Sequence, residues 1–124
     1  MTHTDRVTVI QVRGTLITTL PPHPTDSTID DLQERILERI NQTNLERIEG
    51  VVLDVSDVQT VDSFFARVIV ETAKMVELMG VRPILVGIGP AIAITVTELG
   101  FDLGGVQTAR SIDAALDALD IDSG

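Results

Sequence analysis

The first part of the chain changes from an alternating pattern of apolar residues to a helical one. The segment "RVTVIQVRGTLITTL" contains two β-rich stretches with Gly14 near their junction, which predicts two strands joined as a hairpin. The Pro-rich stretch "PPHPTDST" then predicts a loop. A helix is predicted to begin near Ser27, because Ser27 and Asp30 match the pattern of a capping box. Its apolar residues recur at helical spacing and are Ile29, Leu32, Ile36 and Ile40.

The middle of the chain predicts two buried strands with a helix between them. The runs "GVVLDVS" and "RPILVGIG" are short and continuously apolar, which is typical of central strands in a parallel sheet. The helix is predicted from about Ser63 to Met79, and Gly80 ends it as a C-cap. Its predicted inward face consists of Phe65, Val68, Ile69, Thr72, Val76 and Met79.

The last part of the chain predicts two further helices separated by a short strand. Pro90 fits the first turn of a third helix, which Gly100 closes. The stretch "GGVQTA" predicts the strand, and Ser111 is predicted to cap the last helix. The inward residues of that helix are predicted to be Ile112, Ala115, Leu116 and Leu119.

The resulting order is β-β-α-β-α-β-α-β-α, which predicts an α/β fold. Strands that alternate with helices form a parallel sheet, and the first strand is expected to be antiparallel to the rest. We therefore expect a mixed, mostly parallel sheet of about four to five strands packed with about four helices. A chain of 124 residues, 44% of them hydrophobic, is expected to form a single domain over 1–124, with a core from about 7 to 119 and frayed termini.

Charge and composition narrow the range of partners. The net charge is −10, from 19 acidic and 9 basic residues, so the surface repels nucleic-acid backbones and anionic membranes. We therefore expect neither a nucleic-acid nor a membrane partner. The chain has no cysteine, which excludes disulfides and thiolate nucleophiles. No secretory signal or membrane-spanning run is found in the sequence, so a cytoplasmic protein is expected.

Residues that could carry catalysis do not form a recognisable set. Asp54 and Asp57 could be a metal pair or an acid/base pair, and Asp54 is similar in position to the phosphoaspartate of receiver domains. A receiver also needs an acidic pair after its first strand, where this sequence has "VIQVRG", and a lysine further downstream, but no lysine follows Lys74. The stretch "GIGP" at 87–90 resembles the start of a dinucleotide loop but lacks the third glycine. Neither His3 nor His23 has a second ligand or a nucleophile beside it, so we predict no catalytic residue, no metal and no cofactor.

Ser63, in "VDSFFARV", has two interpretations. Serine is a preferred N-cap, and such a cap stabilises a helix by about 1 kcal/mol. Asp62 can supply the same cap, which would leave the Ser63 hydroxyl for another role. Phe64 and Phe65 cannot both face the core, because adjacent helical residues point about 100° apart. If Phe64 is partly exposed, a phosphate on Ser63 would disturb docking at an apolar surface with little effect on the fold.

Three stretches, together with the predicted order of elements, resemble the STAS domain family of sulphate transporters and anti-sigma factor antagonists. They are "VVLDVSDVQTVDSFFARV", "ELMG" and "GIGPAIAITVTELG". The resemblance extends from about Val7 to Leu119. Within the family, the chain is most similar to stressosome scaffold antagonists of the RsbS type. Because the chain starts almost at the first predicted strand, a lone STAS domain is expected rather than an RsbR-type protein with an N-terminal sensory domain.

The resemblance implies that Ser63 is phosphorylated by an RsbT-like switch serine kinase. It makes Thr95 a minor candidate, since RsbR-type relatives carry a second phosphorylated threonine in the third helix. It also implies a non-enzymatic scaffold that assembles with RsbR-like STAS proteins as a homo- or hetero-oligomer and holds the kinase until phosphorylation releases it. The predicted partner-binding residues are Asp54, Asp57, Asp62, Phe64 and Arg67.

Two other functions stay open at this point. The chain could be a simple anti-sigma factor antagonist that pairs with one kinase and forms no large assembly. It could also be a small enzyme or nucleotide-binding domain that uses Asp54 and residues 87–90. Formation of a large particle with an RsbR-type partner separates the first alternative from a scaffold, and nucleotide binding by the isolated chain would favour the second.

Overall fold

The order of strands and helices agrees with the prediction. The computed structural model describes residues 7–42, 47–101 and 105–123, and within them it has five strands and four helices. In chain order these are β1 (Thr8–Val12), β2 (Thr15–Thr19), α1 (Asp26–Asn41), β3 (Gly50–Asp54), α2 (Ser63–Leu78), β4 (Arg82–Val86), α3 (Pro90–Glu98), β5 (Gln107–Ala109) and α4 (Ile112–Ser123). The expected frayed tail at 120–124 lies largely outside the described side chains.

The five strands form one mixed sheet in the order β1-β2-β3-β4-β5. β1 pairs antiparallel with β2, and the other three pairings are parallel. Helices are therefore needed to connect the parallel strands, since a parallel neighbour cannot be reached by a tight turn. The predicted α/β class, with an antiparallel first strand, is confirmed.

Two layers of helices cover the central strand, β3, whose five residues are all buried. Val51 and Leu53 face the larger core, to which α1, α2 and α3 also contribute. Val52 points to the opposite face and joins a smaller core with Ala115 of α4. Alternate residues of a strand point to opposite faces, so a strand that is apolar at every position requires cover on both sides.

The start of α1 differs from the prediction. Thr25, and not Ser27, is the N-cap: its hydroxyl oxygen accepts a hydrogen bond from the Thr28 amide at 3.2 Å. The Thr28 hydroxyl in turn accepts from the Thr25 amide, also at 3.2 Å. The expected capping box of Ser27 and Asp30 was therefore wrong by two residues, because a pair of threonines satisfies both amides and begins the helix earlier.

The end of α2 also differs from the prediction, at one residue. Met79 was expected on the inward face, but it is 43% exposed, because the helix ends at Leu78 and Met79 is its C-cap. Gly80 follows with φ +82°, and the amides of Gly80 and Val81 bond back to the carbonyls of Glu77 and Val76. These two bonds are those of a Schellman motif, so the prediction that Gly80 terminates the helix is confirmed.

Gly87, directly after β4, lies against the segment that leaves β3. Its φ is +78°, and a Cβ added to it would overlap the Ser56 Cβ and lie 2.7 Å from the Ser56 Cα. The Gly87 amide also donates to the Ala109 carbonyl at 3.1 Å. Only a residue without a side chain lets the ends of these neighbouring strands approach so closely.

Gly87→Ala is expected to destabilise the protein more than Gly80→Ala does. Both positions have positive φ, and the left-handed conformation costs about 1–2 kcal/mol for an alanine. Only at Gly87 does the new Cβ also overlap another residue, which adds about 1–3 kcal/mol. Urea unfolding of the two variants checks this, and equal losses in the free energy of unfolding would contradict the close packing of Gly87 against Ser56.

Candidate functional site

Three parallel strands end at the same edge of the sheet. Asp54, the last residue of β3, pairs with Val86 of β4, and Val86 pairs with Ala109 of β5. The carboxyl ends of parallel strands are where ligands and partners of α/β proteins most often bind. The segment of residues 55–62, which joins β3 to α2 at this edge, is called the acceptor loop below, and it leads directly into Ser63.

Asp54 shapes the beginning of the acceptor loop. It is 7% exposed, and its Oδ1 accepts hydrogen bonds from the Ser56 amide at 3.0 Å and from the Ser56 hydroxyl at 2.5 Å. The Val55 amide donates to the Val86 carbonyl at 2.9 Å, which ties the same segment to β4. Asp54 therefore lies behind the loop and organises it, whereas Asp57 is exposed on its surface.

Asp62 is the N-cap of α2. Its backbone is extended, and its Oδ1 accepts a hydrogen bond from the Phe65 amide at 2.8 Å. Ser63 is the first residue of the helix and is exposed. In the part of the chain that the structure describes, the Ser63 hydroxyl has no hydrogen-bond partner. Of the two roles considered for Ser63, capping thus belongs to its neighbour, and the Ser63 oxygen is accessible to solvent.

The two phenylalanines after Ser63 point in different directions. Phe65 is 1% exposed and lies in the larger core, whereas Phe64 is only partly buried and packs against the edge of that core. The expected partial exposure of Phe64 is confirmed. Arg67 is exposed and lies four residues after Ser63, so the two side chains share one face of α2. The surface of α2 near Ser63 thus includes a partly exposed apolar ring and an exposed cation.

Thr95, the minor candidate, differs from Ser63 in its surroundings. It lies within α3, is partly buried, and its hydroxyl donates to the Ala91 carbonyl at 2.9 Å. A hydroxyl committed to its own helix must break that bond before it can react. Accessibility therefore favours Ser63 over Thr95, although the roles predicted for both residues, and for the partner-binding set, stay predictions.

The "GIGP" stretch borders an open cleft at the same edge of the sheet. Gly87 and Ile88, together with Thr108, Ala109 and Arg110, line a volume of about 620 Å³. Pro90 is the first residue of α3, as predicted, and Gly89 caps the helix without a side-chain hydrogen bond. Arg110 is the one cation among the described residues that line the cleft, and Ile92 stands where a dinucleotide loop has its third glycine, so the cleft offers little to hold a dinucleotide phosphate.

Sequence reasoning missed the contact between the Pro-rich loop and the acceptor loop. The Pro22 carbonyl accepts hydrogen bonds from the amides of Gln59 and Thr60, at 2.7 and 3.2 Å. Nδ1 of His23 lies 2.5 Å from the Thr60 hydroxyl oxygen. No local pattern signals this contact, because the two loops are far apart in the sequence and meet only through the sheet.

Within the described ranges, no group of three or more histidine, aspartate or glutamate side chains could hold a metal ion. Asp54 and Asp57, the pair considered for that role, differ in environment, since the first is buried and the second is exposed. Of the helices in the described ranges, none has the length and apolarity to cross a membrane.

Asp62→Ala is expected to lower the free energy of unfolding by about 1 kcal/mol, because the Phe65 amide loses its acceptor. Ser63→Ala is expected to change it by less than about 0.5 kcal/mol, since that hydroxyl caps nothing. Asp62→Asn is the matched control, as asparagine caps about as well as aspartate. Urea unfolding measures all three, and a larger loss for Ser63→Ala than for Asp62→Ala would show that the cap has been assigned to the wrong residue.

Comparison with known proteins gives three consistent matches. The RsbT co-antagonist protein RsbRA of Bacillus subtilis is 35% identical over 95 residues, which cover 75% of this chain and 35% of that protein. An RsbS of Moorella thermoacetica with a serine-to-glutamate substitution is 33% identical with a TM-score of 0.83, over 95% of this chain and 97% of that chain. A chain from a structure of the stressosome, a signal integration and transduction hub, is 33% identical with a TM-score of 0.80, over 94% and 98%.

The share of each relative that is matched differs between these proteins. The chain spans about a third of the length of RsbRA, but nearly all of the RsbS chain of known structure. The family model of the STAS domain matches residues 1–115. With its mixed five-stranded sheet and these matches, the chain belongs to the STAS domain family.

Proposed function

We propose that this chain is a non-enzymatic scaffold that captures an RsbT-like switch serine kinase and releases it when Ser63 is phosphorylated. The observation that carries the proposal is the position of Ser63: it is exposed at the first residue of α2, and the neighbouring Asp62 provides the cap. The similarity to an RsbS and to an RsbT co-antagonist supports this function over an unrelated one.

The chain contributes only the reacting hydroxyl to this chemistry. The kinase would supply ATP and Mg²⁺ and a base that takes the proton from the Ser63 oxygen. That oxygen forms a bond to the γ-phosphorus, the bond between this phosphorus and the β-γ bridging oxygen breaks, and ADP leaves. The kinase active site must be able to reach the acceptor, and an exposed residue at the N-terminus of a helix meets that requirement.

A phosphate at Ser63 would act on docking more than on folding. It adds about −1.5 to −2 charges at neutral pH, and the N-terminus of a helix stabilises an anion. The exposed Arg67 on the same face of the helix can offset part of that charge, whereas the Asp62 carboxylate repels it. A kinase surface that packs on the Phe64 ring would have to desolvate the new charge. The affinity of the kinase for the phosphorylated chain would therefore fall, while the fold of the chain is retained.

We also propose that the chain assembles with RsbR-like STAS proteins. Its resemblance to a chain of the stressosome structure, over 94% of its own length, supports assembly as a homo- or hetero-oligomer. The simpler alternative, an anti-sigma factor antagonist that pairs with one kinase only, needs no such assembly.

Ser63→Asp is expected to weaken binding of the RsbT-like kinase roughly tenfold or more, because the added carboxylate must be desolvated at an apolar interface. Ser63→Ala should bind as tightly as the wild type and stay bound in the presence of ATP and Mg²⁺. Calorimetric titration of the kinase measures both affinities.

The controls for this titration are Ser63→Asn and Thr95→Ala. Asparagine has the shape of aspartate without its charge, so its affinity should be near that of the wild type. Thr95→Ala should still be released on incubation with ATP and Mg²⁺. Equal kinase affinity for Ser63→Asp and Ser63→Ala would refute the switch.

Light scattering distinguishes a scaffold from a simple antagonist. The chain mixed with an RsbR-like STAS protein is expected to give a particle far larger than a one-to-one complex, because the family resemblance includes a stressosome chain. A mixture that contains only monomers or one-to-one complexes over the accessible concentrations would favour the simple antagonist.

A further inference from the structure

The Pro-rich loop of residues 20–25, called the brace loop here, supports the half of the acceptor loop that leads into α2. The Pro22 carbonyl accepts from the Gln59 amide at 2.7 Å and from the Thr60 amide at 3.2 Å. His23 adds a side-chain contact, since its Nδ1 lies 2.5 Å from the Thr60 hydroxyl oxygen. Both His23 and Thr60 are exposed, so the contact lies at the surface near Ser63.

The two halves of the acceptor loop are held by different elements. Residues 55–58 are tied to β4 through the Val55 amide and to the end of β3 through Asp54, and the Val58 amide closes a turn on the Val55 carbonyl. In the described structure, the hydrogen bonds of residues 59 and 60 go to the brace loop alone. Only then does the Asp62 cap begin the helix. Val61, the residue after Thr60, packs against the larger core, so the brace loop supplies the last hydrogen bonds to the acceptor loop before the Asp62 cap.

The brace loop is itself fixed at both ends. The Leu20 amide donates to the Asp54 carbonyl at 3.1 Å, and the Leu20 side chain is 1% exposed. At the other end Thr25 caps α1. Prolines at 21, 22 and 24 restrict φ along the segment. A stiff segment anchored on two elements can hold a neighbouring loop at little entropic cost.

We infer that Pro22 and His23 are positioning residues for the phosphorylation of Ser63. They hold Gln59 and Thr60, and through them the short stretch before the Asp62 cap, in the conformation that presents Ser63 to the kinase. Neither residue touches the reacting oxygen. The inference rests on the proposed function for its consequence, but the brace itself is a property of the isolated chain.

A loosened brace would lower the fraction of molecules whose acceptor loop is ready to bind. The apparent affinity of a partner falls in proportion to that fraction, whereas the bound complex is unchanged. The KM of the kinase for this chain should therefore rise while kcat stays the same. Loss of one hydrogen bond predicts a rise of roughly threefold to tenfold.

The test compares two pairs of variants as substrates of the RsbT-like kinase with ATP and Mg²⁺. His23→Ala and Thr60→Val remove the contact, and His23→Asn and Thr60→Ser keep a polar group able to make it. The first pair should raise KM roughly threefold to tenfold with kcat within about twofold of wild type, and the second pair should restore KM. The double variant should be no worse than either single one, because both remove the same contact.

Hydrogen exchange on the chain alone provides a second readout that needs no kinase. Exchange at the Gln59 and Thr60 amides should become faster in His23→Ala and in Thr60→Val, while the Val55 amide, which bonds to β4, should not change. Unchanged exchange would overturn the support that the His23 side chain gives to the acceptor loop, and faster exchange with unchanged KM, or a fall in kcat alone, would overturn its positioning role. If wild-type Ser63 is not phosphorylated at all, the proposed function fails, and the exchange rates still decide whether the brace exists.

Discussion

Burial of β3 on both of its faces is the constraint from which the rest of the structure follows. A strand that is apolar at Val51, Val52 and Leu53 alike can exist only between two layers, and α1–α3 on one side and α4 on the other provide them. The same burial fixes the point at which the chain leaves the sheet. Asp54 lies at that point, and its carboxylate directs the first turn of the acceptor loop through Ser56.

The site depends on a division of roles between two adjacent residues. Asp62 satisfies the free amide of Phe65, and Ser63 is left as an exposed hydroxyl on a helix that does not need it. A modification at Ser63 can therefore change the charge of the surface without removing a stabilising contact. If the cap and the acceptor were the same residue, each phosphorylation would also disturb the start of α2, and the switch would be coupled to stability.

Most of the helices and strands could be predicted from the sequence. Where a boundary or a cap was misplaced, the error has a physical reason. Continuous apolar runs and glycine stops such as Gly80 and Gly100 determine elements locally, and these predictions were confirmed. The cap of α1 was misplaced because all four residues of "TDST" are competent caps, and the choice of Thr25 depends on the partner hydroxyl of Thr28. Met79 was misplaced because periodicity does not say where the last turn ends.

Of the features next to Ser63, one could be predicted from the sequence and one could not. The partial exposure of Phe64 followed from helical geometry, since Phe65 takes the inward position. The support that Pro22 and His23 give to the acceptor loop could not be anticipated, because it joins two loops that have no common pattern. Tertiary hydrogen bonds between loops leave no periodic trace, and the pairing of β2 with β3 brings these two loops together.

We propose the exposed Ser63 hydroxyl as the acceptor through which this STAS domain is switched. Phosphosite mass spectrometry of the wild-type chain, after incubation with an RsbT-like kinase, ATP and Mg²⁺, shows which residue receives the phosphate. We expect a phosphate on the peptide that contains Ser63, at that residue. A phosphorylated chain in which Ser63 is unmodified and another residue carries the phosphate would contradict it.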